Sequence, residues 1–206
     1  MGYKALNTPR GKPLEYFLSL PKEIDKNKTY RTILAIPPGG QTKEFVDAYL
    51  HWFDYFAKRG WILVSPATPD GKLFFQGSER YLPYLMDRIQ DDFKLEGDKY
   101  YLLGVSNGGN SSFRVGTLHS ERFHSITVMP GWPKPADENR LETIIDIPVN
   151  FVVGEQDERW LKKSEEFYET LKEMGCDVSL EIVPSEGHMV FHSYPLDKLE
   201  KLLMRV

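Results

Sequence analysis

Tyr100-Tyr101-Leu102-Leu103-Gly104-Val105-Ser106-Asn107-Gly108-Gly109 decides the fold. Tyr100 to Val105 is a short, strongly apolar run of the kind buried in a parallel sheet. The polar, small-residue segment after Ser106 suits the start of a helix. Gly104-x-Ser106-x-Gly108 therefore falls where a strand turns sharply into a helix. Such a turn strains the backbone of its central residue and lifts the serine hydroxyl clear of both elements. Glycine is needed on either side because a Cβ there would crowd the neighbouring strand or helix. The first N–H groups of the helix then point at any negative charge that develops beside Ser106. Taken alone, the five-residue pattern equally describes a flexible loop with a solvent-facing serine. The strand before it and the helix after it set this one apart.

Working outward, strands and helices alternate from Arg31 onward. Leu14 to Leu20 reads as an early strand, after an irregular, Pro/Gly-containing lead-in over 1–13 with room for one short strand. Arg31 to Ile36 is a buried strand ending at Pro37-Pro38-Gly39-Gly40. Phe45, Tyr49, Trp52, Phe53 and Phe56 lie at helical spacing in one helix from Thr42 to Gly60. Trp61 to Ser65 is a strand. Ser78 is placed to cap a helix carrying Leu82, Leu85, Ile89 and Phe93, with Gly97 as its stop. The helix after Ser106 runs to about His119. Strands at Phe123–Met129, Val149–Val153 and Val178–Val183, a helix over 158–174 and a last helix from Pro195 to Val206 complete the chain. The pattern predicts an α/β fold: a mostly parallel sheet with helices on both faces. One domain is expected over 1–206, with 1–30 as lead-in and edge strand.

The bulk properties agree. The chain has 206 residues, enough for one α/β core, with 41% hydrophobic and 27% charged residues. Its net charge of −4 gives no reason to expect nucleic acid or an anionic membrane surface as a partner. The single cysteine, Cys176, excludes an intrachain disulfide and a cysteine-rich metal site. No apolar segment reaches membrane-spanning length, and Met1 to Leu6 shows no signal-peptide core. A cytoplasmic location is the expectation, with secretion left open should a leader have been removed. A homodimer also stays open.

In such sheets the reactive groups stand in loops beyond the C-terminal ends of the strands. After Val149–Val153 comes Gly154-Glu155-Gln156-Asp157. After Val178–Val183 comes Pro184-Ser185-Glu186-Gly187-His188. Ser106, an acid and His188 thus follow strands in an order that suits a serine nucleophile served by a histidine base and an orienting carboxylate. The histidine must take the hydroxyl proton and return it to the leaving group, while the acid holds the imidazole tautomer. Asp157 is the choice for the acid, Glu155 is its competitor, and Asp146 falls too early. Each residue alone has an ordinary explanation: Asp157 as a helix cap and Gly187-His188 as a surface turn.

An oxyanion hole should use the N–H of Asn107 and one from the loop after the early central strand. Gly40 or Gln41 is preferred there, with Gly39 open. Phe74, Trp132 and Trp160 are candidates for lining a substrate pocket, as is Phe75, although each is equally a core residue. His188 and His192 stand four apart, but nothing beside them completes a metal set. No cofactor motif is present.

The set Gly-Val-Ser106-Asn-Gly-Gly, Gly-Glu-Gln-Asp157 and Glu-Gly-His188 resembles the α/β-hydrolase superfamily. It is most similar to the compact serine esterases, the phospholipase/carboxylesterase and feruloyl-esterase-like groups. The resemblance spans nearly the whole chain from about residue 31. It implies a three-layer α/β-hydrolase fold and cofactor-free hydrolysis of carboxylic esters through an acyl-serine, with a small-molecule ester as the partner. The chain departs from many relatives in two places. Pro-Pro-Gly-Gly stands where they carry His-Gly, and the segment between Met129 and Pro148 is too short for a lid domain, which argues against lipid interfaces. A thioesterase or small-substrate peptidase with the same residues, or a non-catalytic binding protein on the same fold, stand as alternatives.

Overall fold

A computed structural model describes residues 1–9 and 11–205; the expected lead-in and last helix each touch a residue outside that range, Arg10 and Val206. Eight strands form one sheet: β1 (Gly2–Leu6), β2 (Leu14–Ser19), β3 (Thr32–Ile36), β4 (Ile62–Pro66), β5 (Tyr100–Val105), β6 (Phe123–Met129), β7 (Val149–Gly154) and β8 (Val178–Val183). Their spatial order is β1-β2-β4-β3-β5-β6-β7-β8. β1 and β2 are antiparallel to their neighbours, and the strands from β4 to β8 run parallel. The short strand expected in the lead-in is β1, the edge of the sheet.

Helices cover both faces. They are α1 (Lys43–Asp47), α2 (Leu50–Lys58), α3 (Leu82–Asp92), α4 (Asn107–Leu118), α5 (Pro135–Glu138), α6 (Glu158–Glu173) and α7 (Leu196–Leu203). Side chains alternate across each strand, and over the central strands β3 to β7, where helices cover both faces, both sets are largely apolar. Leu34, Ile36, Tyr100 and Leu102 enter a core with Leu82, Leu85 and Ile89 of α3, Phe113 of α4, and Phe167 and Leu171 of α6. Their strand neighbours Ile33, Ala35, Tyr101 and Leu103 enter a second core with Trp52, Phe53 and Phe56 of α2 and Leu199 and Leu203 of α7. This two-sided burial explains why β3 and β5 read as unbroken apolar runs.

The chain leaves β3 toward the α2 face and β5 toward the α4 face. Adjacent strands that send the chain to opposite faces mark the point on the C-terminal edge where ligands bind in open α/β sheets.

Two local expectations are corrected. The helix expected over 42–60 is broken at Tyr49 (φ −131°, ψ 29°), although neither Gly nor Pro stands there. Tyr49 is buried, stacks on Phe53 and hydrogen-bonds Ser65 Oγ at 3.0 Å, so tertiary anchoring overrides helix propensity. Ser78 does not cap a helix. It starts a 3-10 turn, Ser78–Tyr81, and its hydroxyl donates to Asp70. α3 begins later, at Leu82, and ends at Asp92. Phe93 is already extended, and Gly97 lies in a separate turn before β5. Among the described residues no helix is long and apolar enough to cross a membrane.

Candidate active site

Ser106 lies between β5 and α4 with φ 54° and ψ −117°, a strained geometry for a residue with a Cβ. Contacts on either side hold it there. Its N–H donates to Met129 O at 3.3 Å, at the end of the neighbouring strand. A Cβ on Gly104 would lie 2.3 Å from Gly108 O, and one on Gly108 would lie 2.1 Å from Ile36 O. The glycines therefore let α4 start directly against β5 and against the end of β3. That close approach brings the first turn of α4 beside the Pro37–Gly40 loop.

The expected partners converge on the serine. Ser106 Oγ lies 2.8 Å from His188 Nε2, and His188 Nδ1 lies 2.6 Å from Asp157 Oδ2. An ionised carboxylate only accepts, which places the proton on Nδ1 and leaves Nε2 to accept from the serine hydroxyl. Asp157 is well covered, at 11% side-chain exposure, whereas the His188 side chain is 36% exposed.

Glu155 serves the same region differently: its carboxylate accepts the N–H of Ser185 at 2.9 Å and so ties the loop after β7 to the loop after β8. Gln156 N–H adds a bond to Glu186 O at 2.8 Å. Gly154 permits the close approach, since a Cβ there would sit 2.3 Å from Gly187 O. Two strand-end loops are thus laced together, one carrying the acid and the other the histidine. Asp146 borders a hollow with Lys99 and Pro148, the residues just before β5 and β7, at the opposite edge of the sheet.

The loop after β3 differs in part from expectation. Asn107 donates its side-chain N–H to Gly39 O at 3.0 Å, joining the helix start to this loop, and Gly39 adopts φ +55° with the Phe45 ring packed against it. Gln41 does not offer a free N–H; that group donates to Pro38 O at 3.0 Å. Its fully buried side chain braces the core of the site instead. Nε2 donates to Ser111 Oγ at 2.8 Å, and Oε1 accepts the N–H of Phe74 at 2.7 Å.

A cavity of about 270 Å³ opens beside Ser106 and His188, walled by Pro38, Gly39, Phe45, Ala48, Met189 and Phe191. Phe45, Met189 and Phe191 were not anticipated there. Phe45 had the spacing of a core helix residue, and the break at Tyr49 separates its short helix from α2. Met189 had a signal in its position next to His188. Phe74, expected in the pocket, is completely buried in the core among the α3 leucines. Trp160 reaches the site from α6, its ring 4.7 Å from the His188 ring, and Trp132 packs edge-on against it at 4.4 Å. Among the described residues no three His, Cys, Asp or Glu side chains gather as a metal site.

No family model matches the chain, and no curated protein matches it by sequence. Solved structures match it closely in shape. A thermostable esterase superposes with a TM-score of 0.80 at 16% identity, covering 97% of this chain and 61% of that one. A ferulic acid esterase gives 0.77 at 18% identity, covering 98% and 96%. A putative dipeptidyl aminopeptidase IV from Bacteroides ovatus gives 0.77 at 14%, covering 98% of this chain and 35% of that one. The chain thus spans about three fifths of the thermostable esterase. The fold is the α/β-hydrolase fold. Chains of this shape include esterases.

Proposed function

We infer that the protein is a serine hydrolase that cleaves carboxylic esters of small or soluble substrates. The observation that carries this reading is the continuous hydrogen-bonded relay from Asp157 through His188 to Ser106, ending at a strained serine that borders an apolar cavity. Ser106 Oγ attacks the ester carbonyl carbon while His188 Nε2 takes its proton. Asp157 fixes the imidazole and stabilises its charged form.

The N–H of Asn107, at the unpaired first turn of α4, receives the developing oxyanion. With Gln41 engaged at Pro38, the second donor comes from Gly40 or Gly39. Collapse of the tetrahedral intermediate expels the alcohol, which His188 protonates. Water activated by the same histidine then releases the acid and restores Ser106. The chemistry needs no cofactor. The short segment between β6 and β7 leaves no room for a large lid, which suits dissolved esters better than lipid interfaces.

The test is hydrolysis of 4-nitrophenyl acetate and butyrate by the wild type and by Ser106→Ala, with fluorophosphonate labelling of both. Turnover and labelling that disappear together in a folded Ser106→Ala are expected. A folded wild type that neither turns over esters nor labels at Ser106 would overturn the reading in favour of a binding protein. Matched thioester and anilide substrates separate the esterase from a thioesterase or peptidase.

A further inference from the structure

Beyond the apolar cavity, on the side of His188 where Trp160 packs, the surface changes character. Lys134, in the loop after β6, holds its Nζ 4.2 Å from the centroid of the Trp132 ring and 5.3 Å from that of Phe75. Arg159, in the first turn of α6, reaches the same indole at 5.7 Å. Trp132 packs on Trp160, which packs on His188. Two cations therefore share one indole two rings from the reacting histidine.

Among the described residues neither cation forms an ion pair. Other cations of this acidic protein do: Arg80 with Asp70, Arg59 with Glu200, and both Arg114 and Arg140 with Asp137. Asp137, the nearby carboxylate, is fully buried and its Oδ1 accepts from both Arg114 and Arg140; its charge favours the Lys134 ammonium without pairing with it. Burial and then Arg159 hold the Lys134 ammonium below the usual lysine range, so the two cations work against each other. An anion that bridges the two would relieve that repulsion.

We propose that Lys134 and Arg159, over Trp132, form a subsite for a carboxylate carried by the ester substrate, so that the preferred substrates are anionic monoesters. This rests on the serine-hydrolase reading above. The ring-to-ring steps of 4.4 and 4.7 Å separate the cations from His188, so the carboxylate stands several bonds from the scissile carbonyl. It belongs either to the acyl chain or to the leaving alcohol, and matched substrates separate the two.

The experiment compares kcat/KM for mono-4-nitrophenyl adipate with that for 4-nitrophenyl hexanoate, and for 4-butyryloxybenzoate with that for its methyl ester. A preference of about tenfold for the charged member of one pair is expected at low ionic strength, equivalent to about 1.4 kcal/mol. The first pair reports the acyl side and the second the leaving-group side. The preference should shrink when sodium chloride is raised to about 0.5 M. In Lys134→Gln and Arg159→Gln the charged-to-neutral ratio should fall severalfold, and Lys134→Arg should keep most of it. Neutral esters turned over with no preference for either anionic partner would overturn the subsite and leave the hydrolase reading standing. No turnover of any ester, with no labelling of Ser106, removes the hydrolase reading and the subsite with it.

Discussion

Gly108→Ala tests how the site is held. A Cβ at this position would lie 2.1 Å from Ile36 O and 2.6 Å from Pro37 O, both backbone atoms. The shorter contact must open from 2.1 Å to beyond 3.0 Å, so the start of α4 and the end of β3 must part by about 0.9 Å. Overpacking of this kind costs about 1–3 kcal/mol. For a protein of 206 residues, a loss of about 2 kcal/mol lowers Tm by about 4–8 °C. The same movement separates the first N–H groups of α4 from the Pro37–Gly40 loop, the two proposed sources of oxyanion donors. Misplacement by about 1 Å costs about 100-fold in rate.

Thermal unfolding and ester hydrolysis, measured on the same preparation, should show both losses. Gly187→Ala is the control. It adjoins His188, but a Cβ there meets nothing within 4 Å and the residue lies outside the left-handed range. Its stability should stay within about 0.5 kcal/mol of wild type. A Gly108→Ala protein with wild-type Tm and wild-type turnover would refute the reasoning.

Asp157→Asn should lower kcat by about 10³–10⁴-fold, whereas Glu155→Gln, which disturbs only a loop tie, should lower it by less than about tenfold; a larger loss for Glu155→Gln in steady-state kinetics would reverse their roles. Gln41→Leu leaves the buried Phe74 N–H without its acceptor and Ser111 without its donor, and should cost about 2–4 kcal/mol. An unchanged urea midpoint would show that Gln41 is not a brace. The hydroxyls of Tyr49, Tyr100 and Tyr194 are pushed above the ordinary tyrosine value, in each case chiefly by burial. Their folded pKa values exceed the unfolded value of about 10, so their contribution is complete below that pH and is lost as pH rises above it. The urea midpoint should therefore hold up to about pH 9 and fall as pH rises past about 10, and a midpoint constant through that range would contradict the assignment.

Local chemistry made much of the architecture legible. Short apolar runs that stop at glycine or proline form the buried strands β3, β4 and β7, and the spacing of aromatic and leucine residues marks the helices. The Gly104-to-Gly108 turn depends only on residues adjacent in the chain, so its strained serine could be read directly. The order of Ser106, Asp157 and His188 was also legible, because a parallel sheet delivers each strand end to the same edge.

What the sequence could not decide was settled by contacts between distant segments. Glu155 and Asp157 stand two residues apart with the same chemistry. Only the lacing of the loops after β7 and β8 directs one to Ser185 and the other to His188. Gln41 looked like a loop residue with a free N–H until the turn at Pro38 and the buried bonds to Ser111 and Phe74 engaged it. Phe45 has the spacing of a core residue. It lines the cavity where the chain breaks at Tyr49, which is anchored by a strand residue 16 positions away. Phe74 moved the other way, from supposed pocket to core. The sequence by itself determined the elements, their order and the residues able to react. The tertiary structure decided which of them meet, because meeting depends on how the loops pack at one edge of the sheet.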